Sequence, residues 1–292
     1  MNSLIESYLD RLRGRLRGCD RATVQDALSD AEDHLTTALR EARETNPSSA
    51  EEHLFEEIEE SFGTPEEVAG RYMELEGLTR PALAESGVGR TRNRFLRFCS
   101  VLADPGAWGA VVYMLLSIVT GAIYFTWAVA GIYVSLALLI LIIGLPVTWL
   151  FLLSFRGIAL VEGRIVEGLL GIRMPRRAVY PRGEGSWWQR FRATAGTRST
   201  WTSLLYMLML LPAGIVYFTL IVSLLAVGLM AIADPVVEHV LDLPLAEPDL
   251  YTPLWLEPAV VFAGFMVVVL TMHLAKLIGR LHGKLAKKML VS

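Results

Sequence analysis

Residues 105–155 form a run of 51 without a single Asp, Glu, Lys or Arg, bounded by Asp104 and Arg156. As one helix it would be roughly 76 Å long at about 1.5 Å per residue, against a hydrocarbon core of about 30 Å. One span cannot use that length, so the sequence predicts a hairpin of two spans, near 109–131 and 134–155. Ala130-Gly131-Ile132-Tyr133 is the expected hinge, because glycine permits a turn and tyrosine suits the interface. Two more uncharged blocks, 199–233 and 258–275, predict a third span near 203–232, kinked at Pro212, and a fourth near 258–276. The expected fold class is all-α: a polytopic membrane protein with four transmembrane helices. Whether Trp108–Thr120 and Trp201–Leu211 cross the membrane or lie in its interface stays open at this point.

The net charge of −3 conceals a partition. Residues 1–76 hold 19 acidic and 8 basic side chains, and the 234–257 segment holds six acids and no Lys or Arg. Residues 156–198 carry nine Arg against three Glu, and 276–292 carry five Lys or Arg and no acid. The positive-inside rule then puts both termini and the central loop in the cytoplasm and 234–257 outside, a multi-pass topology in the cell membrane. No short apolar core precedes a small-residue cleavage site near Met1, so the N-terminus is expected to stay in the cytoplasm. Cys19 and Cys99 fall on that side, where lone thiols are ordinary fillers rather than a disulfide.

The acidic segment reads as four short amphipathic helices. Leu4, Tyr8, Leu12 and Leu16 make one apolar face; Gly18 ends it and Asp20 caps a second helix with Val24, Leu28, Ala31, Leu35 and Leu39. Ser48 with Glu51 suggests a capping box for a third helix burying Leu54, Phe55, Ile58 and Phe62. Gly63 stops it, and Thr64-Pro65-Glu66-Glu67 opens a fourth that buries Val68, Ala69, Tyr72 and Met73. Asp30 and His34 share a helical face, but no second His or Cys nearby in sequence completes a metal shell, although folding could bring His53 close, so a polar stripe is expected there. The Glu-rich third helix is expected to be solvated, with docking onto this protein's own basic loops as the alternative. Tyr8-Leu9-Asp10-Arg11-Leu12, Asp30-Ala31-Glu32-Asp33-His34-Leu35 and Phe62-Gly63-Thr64-Pro65-Glu66-Glu67-Val68-Ala69 resemble the HAAS-type helical domain of prokaryotic membrane proteins, over residues 1–76. That resemblance implies a signalling domain without catalysis and a cytoplasmic protein partner, with a PadR-like regulator as one class. A linker follows at 77–93.

The apolar part contains an internal echo. An offset of 93 places Trp108, Tyr113 and Met114 over Trp201, Tyr206 and Met207, and Gly121, Tyr124, Phe125 and Thr126 over Gly214, Tyr217, Phe218 and Thr219. An offset of 120 places Arg156, Ile158, Gly163 and Arg164 over Lys276, Ile278, Gly283 and Lys284. The sequence therefore predicts two tandem parallel repeats, 94–171 and 187–291, inside a membrane domain at 94–292. Each would end in a basic amphipathic piece along the headgroups, 157–171 and 277–290, with His282 in the second. Trp187, Trp188 and Arg190, with Lys284, Lys287 and Lys288, are candidate anchors to anionic lipid headgroups. Membrane anchoring is a plainer use of these basic residues than nucleic-acid binding, which is not expected.

Gly144-Leu145-Pro146, Arg156-Gly157-Ile158-Ala159-Leu160-Val161-Glu162-Gly163-Arg164, Leu170-Gly171-Ile172-Arg173, Trp187-Trp188 and Leu281-His282-Gly283-Lys284-Leu285 resemble the prokaryotic sensor domain, a four-span module found alone or fused to histidine kinases. The resemblance covers 95–292 and implies signal input, with no defined ligand. The expectation is a non-enzymatic membrane sensor and signalling adaptor without cofactor or metal, self-association being left open. Glu238, His239, Asp242 and Trp255 are the candidate outer sensing residues. The rival is a small transporter or permease-like subunit, which the absence of charge from the three apolar blocks disfavours. No Ser–Lys dyad, paired Asp or His-Glu-x-x-His pattern in the spans points to catalysis.

Overall fold

The computed structural model describes residues 3–47, 49–78, 93–139, 144–176, 187–241 and 255–291, and among these it is all-α. The N-terminal helices are α1 (Ser3–Arg15), α2 (Arg21–Thr45), α3 (Glu51–Phe62) and α4 (Pro65–Leu78). There follow α5 (Arg94–Cys99), a 3-10 turn (Ser100–Ala103), α6 (Pro105–Leu139), α7 (Gly144–Leu170), α8 (Trp187–Gly196), α9 (Arg198–Leu241) and α10 (Glu257–Leu290). Four of them, α6, α7, α9 and α10, are long and apolar enough to cross a membrane.

The N-terminal helices close around Ile5, Tyr8, Leu12, Leu16, Leu35, Leu54, Phe55, Ile58, Val68 and Ala69. Gly18 at φ 103° ends α1, and Asp20 accepts a hydrogen bond from the Ala22 N–H at 2.8 Å to start α2. Thr64 and Glu67 form the reciprocal capping box of α4: the Thr64 N–H reaches Glu67 Oε2 at 2.9 Å and the Glu67 N–H reaches Thr64 Oγ1 at 3.4 Å. Gly63, at φ 109°, turns the chain between α3 and α4 and offers its carbonyl to the Tyr8 hydroxyl at 2.7 Å. Burial pushes the Tyr8 phenol up to about 12, so it remains a donor. Two expectations fail. The N-cap of α3 is Ala50, which gives no side-chain bond, so the helix starts after the expected Ser48–Glu51 box; Ser48 lies outside the described residues. Met73 is 44% exposed, because α4 turns only Val68, Ala69 and part of Tyr72 inward.

Three of these helices, α7, α9 and α10, run past the charge-free blocks. α6 passes straight through the expected hinge at Ala130–Tyr133 as far as Leu139, and α7 starts at Gly144; residues 140–143 lie outside the described residues. Gly131 serves contact rather than turning: a Cβ there would meet the Phe151 ring at 1.8 Å. α9 runs as one helix that includes Pro212 and Pro235. The pieces expected to lie along headgroups, 157–171 and 277–290, instead prolong α7 and α10 into the bundle. Their inner faces are Glu162, Gly163 and Val166, and Gly279, His282, Gly283 and Ala286, while Leu277, Leu281 and Leu285 face outward. Small residues on the inner face let the helices come close, and that decides which side turns in.

The two repeats meet where α6 crosses α9. A Cβ on Gly121 would stand 2.9 Å from Leu211 Cα, and one on Gly214 would stand 2.7 Å from the Ser117 carbonyl oxygen. These contacts are the same contact viewed from either repeat, since 93 residues separate Gly121 from Gly214 and Ile118 from Leu211. The helix starts repeat too: Trp108 Nε1 donates to Leu102 O and Trp201 Nε1 to Ala195 O, each at 2.8 Å. Asp104 caps α6 through the Gly106 N–H at 2.9 Å and pairs with Lys276 of α10.

Gly214→Val should force this crossing apart and cost about 2–3 kcal/mol by overpacking, read as a lower melting temperature in detergent. Gly168→Ala, where a Cβ meets nothing within 4 Å, should be neutral in the same assay. In the N-terminal helices, Tyr8→Phe should leave the Gly63 carbonyl unpaired and weaken hydrogen-exchange protection across α1 by about 1–2 kcal/mol.

Candidate functional site: a polar cluster on the repeat axis and a docked helical domain

Below the glycine crossing, the two repeats bring four polar side chains to one point. Tyr113 of α6 and Tyr206 of α9 both donate to Glu162 Oε1 of α7, at 2.7 and 3.0 Å. Both hydroxyls also lie within hydrogen-bonding distance of His282 Nε2 of α10, at 2.7 and 3.0 Å, and 3.3 Å from one another. The offsets of 93 and 120 pair Tyr113 with Tyr206 and Glu162 with His282. The site therefore sits on the axis relating the repeats, with a carboxylate on one side of it and an imidazole on the other. Each stands eight residues from a helix end, namely Pro105, Arg198, Leu170 and Leu290, or about 12 Å along the axis.

A second ring of tyrosines surrounds them. Tyr217 places its hydroxyl 3.2 Å from His282 Nδ1, and Tyr124, its counterpart in the first repeat, faces Glu162. The His282 ring is also flanked by the Tyr113, Tyr206 and Tyr217 rings, with centroids 5.2, 5.8 and 5.5 Å away. Glu162 is 1% and His282 4% exposed. Burying two such groups is costly unless each is hydrogen-bonded; tyrosines serve Glu162 Oε1 and both His282 ring nitrogens, while Glu162 Oε2 is buried without a hydrogen-bond partner.

Each tyrosine hydroxyl carries one proton, so it donates either to Glu162 or to His282, not to both. If His282 Nε2 holds a hydrogen, it donates to a tyrosine oxygen and both tyrosine protons go to the carboxylate. If it does not, one tyrosine turns to it. The same heavy-atom geometry supports both proton arrangements.

The cluster is joined to the N-terminal helices through α10. Five residues beyond His282, Lys287 pairs with Asp20, the N-cap of α2. On the same side, the Arg176 backbone N–H donates to Asp26 Oδ1 at 2.6 Å. Ala22, Gln25, Asp26 and Ser29, at helical spacing along α2, are all buried. Gln25 shares a small cavity with Phe155, Gly163, Met174, Ser203 and Leu290 of the membrane unit. The helical domain thus docks on the basic ends of the bundle with a polar stripe of α2. The Glu-rich α3 takes part elsewhere: Glu59 pairs with Arg11 and Glu51 with Arg43, both within the domain.

The residues singled out from sequence have other positions. Asp30 accepts from Tyr72, and His34 stacks on Phe62 with centroids 4.4 Å apart. Trp188, 46% exposed, stacks on Phe191 at 5.5 Å. The side chains of Trp187 and Arg190 lie outside the described residues, although both backbones belong to α8. Lys284 and Lys288 are exposed, while Lys287 is drawn to Asp20. Glu238 and His239 lie on the last turns of α9 with undescribed side chains, Asp242 lies outside the described residues, and Trp255 is exposed. His282 overturns the reading of it as part of an interfacial tail. The signal for it was present: the 120-residue offset that matched Gly163 with Gly283 also matches Glu162 with His282, each one residue before a conserved step of the echo.

Glu162→Ala should leave two buried tyrosine donors without their shared acceptor and cost about 3 kcal/mol in detergent melting. Glu162→Gln keeps an acceptor oxygen and should cost less. Equal stability of all three proteins would show that the cluster does not hold the repeats together.

No curated protein and no solved structure matches the chain. The family described as HAAS matches residues 7–71, the four N-terminal helices. The family described as Putative sensor matches residues 113–290, from the first cluster tyrosine to the end of α10. By that match, which covers more than half of its length, the chain belongs to this sensor family and carries a HAAS domain ahead of it.

Proposed function

We propose that this protein is a non-enzymatic membrane sensor and signalling adaptor. A membrane domain at 94–292 reads an envelope or lipid condition, and a helical domain at 1–76, joined by a linker at 77–93, passes the reading to a cytoplasmic protein. The HAAS match supports a protein partner, and a PadR-like regulator is the class we favour. Both termini and the Arg-rich central loop are cytoplasmic in this reading, and the acidic 234–257 segment with Glu238, His239, Asp242 and Trp255 is outside. Trp187, Trp188, Arg190, Lys284 and Lys288 rest at anionic headgroups.

One observation carries the proposal: α10 touches both ends of the pathway. His282 lies in the axial cluster and Lys287 holds the helical domain, about 7.5 Å apart along a single helix. A change in how the two repeats pack at the cluster moves Lys287 against Asp20 and alters how the helical domain is presented. Such transmission needs two arrangements that both ends bias, and the two proton arrangements of the cluster supply a candidate pair.

The transporter reading gains one observation. Glu162 is an ionisable group inside the bundle, which the charge-free blocks did not foretell. Substrate counterflow in proteoliposomes that is lost in Glu162→Gln would favour it.

Deleting residues 1–76 should leave membrane insertion intact and abolish capture of the cytoplasmic partner in a crosslinking pull-down; an unchanged set of partners sinks the adaptor role. Lys287→Glu should release the helical domain, measured by loss of a disulfide crosslink engineered across α2 and α10. Adding Asp20→Lys should restore that crosslink by reversing the pair.

A further inference from the structure

The two repeats differ in how their helix pairs close. In the second, α9 and α10 cross in contact: a Cβ on Gly264 would stand 2.7 Å from the Gly228 carbonyl oxygen, and one on Gly228 would stand 2.8 Å from Val268 Cγ2. The offsets of 93 and 120 put Ser135 where Gly228 stands and Gly144 where Gly264 stands. In the first repeat Ser135 and Gly144 are buried too, but space remains beside that crossing. Between α6 and α7 lies a groove of about 550 Å³, lined by Trp127, Gly131, Ser135, Leu150, Phe151 and Ser154 among others. Its walls are almost wholly apolar, and its volume falls in the range that takes a drug-sized apolar ligand.

Ser135 marks the groove as a site. It is 5% exposed, and its hydroxyl has no hydrogen-bond partner. Other hydroxyls in these helices bond back to their own turn: Ser117 to Met114 O at 2.7 Å, Thr148 to Gly144 O at 2.8 Å, and Ser154 to Phe151 O at 2.7 Å. The one indole that lines the groove is already used, since Trp127 Nε1 donates to Ser154 Oγ at 2.9 Å. An unpaired hydroxyl at the wall of an apolar groove between two spans is costly where no water can serve it. Tyr133, 70% exposed two residues earlier, is of the residue type that favours the interface, where lipid ester groups lie.

We propose that this groove binds a glycerophospholipid, with one acyl chain laid along Trp127, Gly131 and Phe151 and its ester carbonyl accepting a hydrogen bond from the Ser135 hydroxyl. The second repeat offers no hydroxyl at the matching position, where Gly228 packs against Gly264 and Val268. This gives the lipid condition of the proposed function a chemical class and a place, and rests on that reading only in taking α6 and α7 as membrane spans.

The test uses the full chain in nanodiscs containing phosphatidylglycerol with a diazirine in the acyl chain, with labelled peptides mapped by mass spectrometry. Labelling should concentrate on residues 127–135 and 147–154 rather than on the α9–α10 crossing. An ether-linked analogue, which lacks the carbonyl, should label the groove about fivefold less, as loss of one hydrogen bond of about 1 kcal/mol implies. Ser135→Ala should abolish that ester–ether difference without lowering the melting temperature, and Leu150→Trp should fill the groove and remove its labelling. Equal labelling of both crossings, or an ester–ether difference that survives Ser135→Ala, overturns the proposal, as does native mass spectrometry showing an isoprenoid quinone or a free fatty acid held instead of phospholipid. The readout involves no partner protein. Lost partner capture with intact groove labelling would fail the adaptor reading alone, and the converse would fail the lipid site alone.

Discussion

The membrane unit depends on the approach of α6 to α9 at Gly121 and Gly214. Backbone meets backbone there, with no room for a Cβ on either side. In a lipid environment apolar burial does not drive helices together, so association rests on close packing and on polar contacts between helices. The crossing supplies the first and the Tyr113–Tyr206–Glu162–His282 cluster, about two turns away, the second. The two support one another. The glycines bring the helices near enough for tyrosines from different repeats to share one carboxylate oxygen, and the shared oxygen fixes the register of the crossing.

From that centre, α10 acts as a strut. Its inner face is small and polar where it passes the cluster, at Gly279, His282, Gly283 and Ala286, and its basic end reaches Asp20. The helical domain meets it with the polar stripe of α2, while the apolar stripe of the same helix serves the domain's own core. A helix buried on two faces, one apolar and one polar, links two cores without a large hydrophobic interface between them. Polar interfaces of this kind can be broken and remade, unlike a continuous apolar core.

Duplication explains both what the repeats share and where they part. The shared elements are structural: the Trp-to-carbonyl bonds at the helix starts, the glycine crossing and the tyrosine pairs. The divergent elements are chemical. Glu162 faces His282 across the axis, and Ser135 beside an open groove replaces Gly228 in a closed crossing. An identical pair of carboxylates at the axis would repel; a carboxylate and an imidazole with tyrosines between them do not.

Several features were legible in the sequence because they rest on local rules. Helix type, the four spans, the Thr64–Glu67 capping box and the Gly18 and Gly63 stops follow from periodicity, length and glycine's freedom at positive φ. The tandem repeat was legible as an offset, and the family followed from short motifs. The span ends were misjudged because charge was taken to mark the membrane edge. Arg156 and Glu162 lie within a continuous α7, since neighbouring helices, rather than water, receive part of that segment. The cluster and the docking stripe of α2 depend on side chains distant in sequence, so no local pattern could reveal them. Composition and period alone determined that this chain is a helical domain followed by four apolar helices in two copies. Only the tertiary structure decided that His282 belongs with Glu162 at the axis, because that requires two copies folded face to face at a distance only glycine allows.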